Sequence, residues 1–260
     1  MPSHRYPVVV KCGTEFLYAT KLTSGTTRPY GAHDAFDRVA SESVFTQKSG
    51  TPVVIVSSGA AKEGRQRSAD RLFPMRLSGK EYAGIGLPHL YGRWSHAFAK
   101  YDKNVGQILV TSANLAHGGE RRSIARAIAA YHVNGVIPII NENDVIASAE
   151  QKIGDNDRLA RMIAELIRAD AVLFLTRVGG VYERDPAYDS RARRYKEIDA
   201  RTALTNAWLT HGMAVKLLEA VQCFAMGMRV AIAGIDGDTI RRFAAGESVG
   251  TMIGDSLQFY

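Results

Sequence analysis

A chain of 260 residues with 46% apolar and 23% charged residues is long enough to bury a large core, as one α/β domain or two tightly joined lobes. No apolar run approaches a membrane span and the N-terminus lacks a signal-peptide apolar stretch, so no membrane partner is expected. The net charge of +7 admits nucleic acid or an anionic small substrate. No Lys/Arg block of the nucleic-acid-binding kind is present. The excess lies in scattered arginines such as Arg65, Arg67, Arg71, Arg121 and Arg122, which read as a solvated face. Two cysteines far apart, Cys12 and Cys223, make no disulfide framework, and a reducing cytoplasm is the expected location.

Val8-Val9-Val10 reads as a buried strand leading into Lys11-Cys12-Gly13-Thr14. A lysine and a glycine turn at a strand end suit phosphate: glycine lets backbone N–H groups approach an anion, and the ammonium adds a compact charge. A plain surface lysine fits this fragment equally well. Lys21–Arg28 reads as a polar loop. Ala32–Ser49 carries an apolar helical stripe (Ala35, Phe36, Val39, Ala40, Val44, Phe45). Pro52–Val56 is the next strand, and Ser57-Ser58-Gly59-Ala60 after it would let a ligand approach the main chain. Lys62–Leu77 is strongly basic and reads as a flexible flap. Glu81–Lys100 has aromatic residues (Tyr82, Tyr91, Trp94, Phe98) at near-helical spacing, which suits a core or a subunit interface better than a base-stacking surface; a homo-oligomer is expected.

Val105–Thr111 is a third strand and Ser123–Val133 a helix. Val136–Ile140 is an apolar strand without alternation, as in a parallel strand covered on both faces. It releases the polar cluster Asn141-Glu142-Asn143-Asp144, and a second cluster, Gly154-Asp155-Asn156-Asp157, follows at the start of a helix running to Arg168. In an open α/β sheet, ligands bind beyond the carboxyl ends of strands, where helix N-termini also point. Either Asp155 or Asn156 is expected to cap that helix. Ala171–Leu175 is the fifth strand, and Thr176-Arg177-Val178-Gly179-Gly180-Val181-Tyr182 begins a shaped loop suitable for a nucleotide. Ala214–Met226 reads as a helix preceded by His211-Gly212-Met213, with Lys216 in its first turn. Arg229–Ala233, a helix over Thr239–Ala245 and a short strand over Val249–Ile253 close the chain. Strand–helix alternation gives an α/β layered fold with a largely parallel sheet.

The segments VVVKCGT, VVIVSSGA, GVIPIINENDVIA, KIGDNDRLA, ADAVLFLTRVGGVYERDP, HGMAVKLLEA and GESVGTMI, in this order, resemble the amino-acid kinase family over nearly the whole chain. INEND followed by GDND is most like members that phosphorylate the side-chain carboxylate of glutamate with ATP and Mg²⁺, a step of proline biosynthesis. Many such members carry a further C-terminal RNA-binding-like module, and this chain ends before one would begin. The resemblance implies one domain over residues 1–260, a three-layer sandwich with a mostly parallel central sheet of about eight strands. Its N-terminal part would bind the acceptor and its C-terminal part the nucleotide.

Carried over by position, Lys11 and Lys216 match the lysines that stabilise the transferring phosphoryl group, and Asp157 lies beside them. Ser58, Asp144 and Asn156, with Gly59, match the acceptor site. Lys11, Gly13, Thr14, Thr176, Arg177, Tyr182, Gly212, Met213 and Lys216 fall on the nucleotide side, and no metal ligand set is assigned. Three positions depart from the family pattern. Arg177 stands where an aspartate is usual, His211 replaces a glycine, and Lys62–Lys80 follows a different pattern. A kinase of the same fold acting on another small acid, and a nucleotide- or amino-acid-binding regulator without catalysis, are the other readings.

Overall fold

The computed structural model describes residues 6–19, 32–69, 76–147, 155–205 and 211–260. The polar loop expected over Lys21–Arg28, and Gly154, Leu209 and Thr210, lie outside them. In chain order the elements are β1 (Val8–Cys12), α1 (Thr14–Leu17), α2 (Ala32–Lys48), β2 (Val53–Ser57), α3 (Ala60–Ala69), α4 (Gly79–Ala99), β3 (Val105–Val110), α5 (Ser112–Ala116), α6 (Gly118–Val133) and β4 (Ile137–Glu142). There follow α7 (Asn156–Ile167), β5 (Ala171–Leu175), β6 (Tyr195–Asp199), α8 (Ala200–Thr205), α9 (His211–Ala225), β7 (Arg229–Ala233), α10 (Thr239–Ala244), β8 (Thr251–Gly254) and β9 (Gln258–Phe259). Among the described residues no helix is long and apolar enough to cross a membrane.

The strands form one sheet in the order β3-β4-β2-β1-β5-β7-β8-β6-β9. All pairings are parallel except β7–β8 and β6–β9. β1, β2 and β5 are buried along their whole length, which is why they read as apolar runs without alternation. The two-residue strand period divides their side chains between two cores. Val8, Val10, Val53, Ile55 and Leu173 join the core under α2, α4 and α10, whereas Val9, Val54, Val56, Val172 and Phe174 join the one under α7 and α9. The result is a three-layer sandwich.

Two strands were not legible as such. β6 contains Lys196 and Glu197, which dilute its apolar signal, and β9 is only two residues long. The flap expected over Lys62–Leu77 needs correction: residues 62–69 belong to α3, and residues 70–75 lie outside the described residues. This helix packs on α4 through small residues. A Cβ on Gly64 would stand 1.8 Å from the Tyr82 carbonyl oxygen, and one on Gly86 1.8 Å from that of Ala60, so the backbones touch and no apolar stripe is needed. α4 starts at a capping box: Ser78 Oγ accepts from Lys80 N (3.2 Å) and Glu81 Oε2 from Ser78 N (2.7 Å). α6 begins at Gly118 and α9 at His211, each earlier than apolar periodicity places them.

Candidate active site

Lys11 shares with Val9 the face of β1 that α7 and α9 cover, so strand alternation sends its ammonium group toward those helices. Asp157 sits in the first turn of α7, and Lys216 in the second turn of α9. The three meet. Lys11 Nζ is 2.6 Å from Asp157 Oδ1, and Lys216 Nζ is 2.8 and 2.9 Å from Oδ1 and Oδ2. All are buried, with 5%, 3% and 7% of the surface of Lys11, Asp157 and Lys216 exposed. Burial alone pushes the Asp157 carboxyl up, but Lys216 and Lys11 together outweigh it and hold the group below its ordinary value. Burial, then the neighbouring Lys11 charge, lowers the Lys216 ammonium to about 8 against the pull of Asp157.

This triad lies on the wall of a cleft of about 710 Å³. Every residue assigned a site role from sequence lines that one cleft: Lys11, Gly13 and Thr14 after β1; Ser58 and Gly59 after β2; Asp144 after β4; Asn156 and Asp157 opening α7; Thr176, Arg177 and Tyr182 after β5; Gly212, Met213 and Lys216 on α9. The N-terminal residues of four helices line it, Thr14 of α1, Ala60 and Ala61 of α3, Asn156 of α7 and Gly212 of α9. The partial positive charge at helix N-termini makes the cleft attractive to anions.

The two capping candidates divide the work. Asp155 caps α7, its carboxylate accepting from Asp157 N at 2.8 Å. Asn156 turns inward, and its Nδ2 donates to Ser57 O (3.0 Å), Ser58 Oγ (2.9 Å) and Asn141 Oδ1 (3.0 Å). With its amide nitrogen engaged there, the oxygen is the atom it offers a ligand. Ser57 is fixed from beneath by Trp94 Nε1, 2.9 Å from its Oγ. Gly59 has φ +111°, and a Cβ there would stand 2.6 Å from Tyr18 Cε2, so conformation and space both require glycine. On the far side, Thr176 N donates to Ala233 O at 2.8 Å and Tyr182 Oη to Val178 O at 3.0 Å, shaping the β5 loop. Cys12 is fully buried and burial pushes its thiol up, as for a packing residue.

The sequence model of the amino acid kinase family matches residues 7–234. The chain belongs to the amino acid kinase family. It is 36% identical over 255 residues to a glutamate 5-kinase of Shewanella amazonensis, covering 94% of this chain and 65% of the relative. It is 35% identical over 257 residues to one of Desulfotalea psychrophila, covering 94% and 66%. The chain thus spans slightly less than two thirds of the length of these curated relatives. Among solved structures it resembles UMP kinase from Bacillus anthracis (TM-score 0.65, 17% identity, 98% of this chain and 99% of that one) and isopentenyl phosphate kinase (TM-score 0.63, 18%, 96% and 100%). These two likenesses concern the fold.

Among the residues that line this cleft, sequence reading left Asn141 without a role. Asn141 is buried, and its Oδ1 accepts from Glu142 N as well as from Asn156, which holds the end of β4 against the start of α7. The signal was present: Asn141 opens the polar cluster at a strand's carboxyl end. Lys62 and Arg65 of α3 also line the cleft, and their helical placement was hidden by the polar character of that segment.

Proposed function

We propose that this chain transfers the γ-phosphoryl group of ATP to the side-chain carboxylate of glutamate, giving an acyl phosphate. The observation that carries this reading is the Asp157 carboxylate held between the Lys11 and Lys216 ammonium groups in the wall of a cleft faced by helix N-termini. The relatives named glutamate 5-kinase support the choice of acceptor. The N-terminal part, residues Ser58, Gly59, Asp144 and Asn156, receives the amino acid. The β5 loop and α9 receive the nucleotide, through Thr176, Arg177, Tyr182, Gly212 and Met213, with Gly13 and Thr14 beside the phosphates.

A carboxylate is already nucleophilic, so the transfer requires no general base. An acceptor oxygen bonds the γ-phosphorus while the bond to the β,γ-bridging oxygen breaks, and the electron pair leaves on ADP. What the protein must supply is alignment and cancellation of charge. Lys11 and Lys216 carry one positive charge more than Asp157 offsets, and the incoming phosphoryl oxygens compete with that carboxylate for both ammonium groups. Ser58 Oγ accepts from Asn156 and keeps its own proton for a substrate carboxylate oxygen, with the N–H groups opening α3 beside it. The substrate ammonium is met by Asp144 and the Asn156 side-chain oxygen.

Among the described residues no group of three or more His, Cys, Asp or Glu is placed to cage a metal. Mg²⁺ would arrive with the nucleotide and would offset the charge of its phosphates. The enzyme is read as cytoplasmic and homo-oligomeric.

Trapping acyl phosphate with hydroxylamine, in the presence of ATP, Mg²⁺ and a panel of amino acids and related acids, tests the reading. Hydroxamate with glutamate supports it. Hydroxamate with a different acid alone would move the assignment to that acid, and nucleotide binding with no hydroxamate from any acid would favour a non-catalytic binder.

A further inference from the structure

On the face of α4 away from its core stripe lies a second cavity of about 450 Å³, between α2, α3 and α4, which shares no lining residue with the cleft. Its walls are mainly basic. Arg67 comes from α3, His89, Arg93 and His96 from α4, and Lys100 directly follows that helix. Asp37 of α2 is the one carboxylate among these lining residues, 2.7 Å from Lys100 Nζ. Gly92, where an added Cβ would meet nothing within 4 Å, leaves the floor open.

A solvated basic helix face would look similar but for Arg93. Its side chain is only 18% exposed. The guanidinium carbon lies 4.1 Å from the Phe36 ring centroid and 5.0 Å from that of Tyr18, and Nη1 is 3.3 Å from Glu63 Oε2. A guanidinium fixed against two rings keeps its donor fork in place before any anion arrives, so little ordering accompanies binding. The volume suits a small metabolite.

We propose that this cavity is an effector site for a small anion bearing two or more phosphate or carboxylate groups, linked to the acceptor half of the cleft through Arg93, Glu63 and Tyr18. Glu63 is buried and also accepts from Tyr18 Oη at 2.7 Å. The Tyr18 ring occupies the space that a Cβ on Gly59 would need. An anion that shares the charge of the fixed Arg93 guanidinium weakens its attraction for Glu63 and so changes the hold on Tyr18, which backs the turn that bears Ser58 and Gly59.

The test is an NMR titration of the full chain, following the His89 and His96 ring signals with pyrophosphate in one arm and citrate in the other. Saturable shifts in either arm support the site and identify phosphate or carboxylate as its chemistry. His96→Glu, exposed and remote from the cleft, should weaken that binding about tenfold by placing like charge against the anion. No shift at millimolar probe, or histidine signals that move with protein concentration and not with probe, would overturn it; the latter means that a second copy covers the face. The link to the cleft rests on the acceptor reading above, whereas the histidine shifts do not, so the two can fail separately. Saturating probe should change the glutamate dissociation constant measured without ATP, and Tyr18→Phe should abolish that change while keeping the shifts. A glutamate affinity indifferent to probe would overturn the effector role.

Discussion

The cationic centre of the cleft and the basic groove on α4 hold similar charges at very different depths. Lys11, Asp157 and Lys216 are almost wholly buried, whereas Lys100 and Arg67 keep 44% and 54% of their side-chain surface in solvent. Removing a charge from water costs several kcal/mol, which pairing offsets only with good geometry. A fold that buries three charges and pairs two cations with one anion has left a positive excess where an apolar packing would be no less stable. Such sites are where chemistry is found. The groove charges cost little to keep, and only Arg93, held against Phe36 and Tyr18, carries the mark of preorganisation.

Substitutions in the two regions should therefore differ steeply. The largest effect on stability is expected from Asp157→Asn, which leaves two buried ammonium groups facing each other. Stability should fall by about 3 kcal/mol, as for other broken buried pairs, read from the urea midpoint. An unchanged midpoint would mean that the pairing is not formed in solution. Next comes Asp144→Asn, expected to raise the acceptor KM by roughly 10-fold to 100-fold through loss of a charge-assisted hydrogen bond of about 1.5–3 kcal/mol, with kcat little changed. An unaltered KM would remove Asp144 from the acceptor site.

The pH dependence is smaller and has a definite sign. In the proposed transfer Lys216 works as a cation, and its depressed pKa of about 8 means that the charged form is lost from the free protein as pH rises through that value. kcat/KM should fall as pH rises through about 8 and level off about one unit below that value. kcat should decline at higher pH, because bound phosphates favour the ammonium form. A flat kcat/KM between pH 7 and 9, about one unit either side of that value, would contradict the role. The smallest effect belongs to Lys100→Ala, which removes an exposed pair with Asp37 worth about 0–1 kcal/mol; a much larger loss in the urea midpoint would show that the groove is structurally tighter than its exposure implies.

Much of this site was legible because strand ends expose it. The runs before Lys11, Ser58, Asn141 and Thr176 are apolar without alternation, so each strand's carboxyl end could be placed and its polar residues gathered at one edge. What could not be read was which atom faces the ligand. Asp155 and Asn156 are both good caps by type, and only the geometry shows that Asp155 caps while Asn156 reaches Ser58 and Asn141. α3 was hidden for a related reason. It buries Ala60, Glu63, Gly64 and Ser68, small or paired groups whose contacts depend on a partner helix instead of an apolar period. The S-x-x-E signature at Ser78–Glu81 was there to be read and marks the start of α4. Arg177 lines the cleft, at a position where the family resemblance suggested an acid.

The most direct test of the phosphoryl clamp compares the wild type and Lys216→Ala for hydroxylamine-trapped acyl phosphate, alongside glutamate affinity measured by calorimetry. Loss of one preorganised charge should lower kcat by roughly 10²- to 10³-fold while the glutamate dissociation constant stays within about twofold. An unchanged kcat, or a loss confined to glutamate binding, would contradict the assignment of Lys216 and with it the shared role of the two lysines around Asp157.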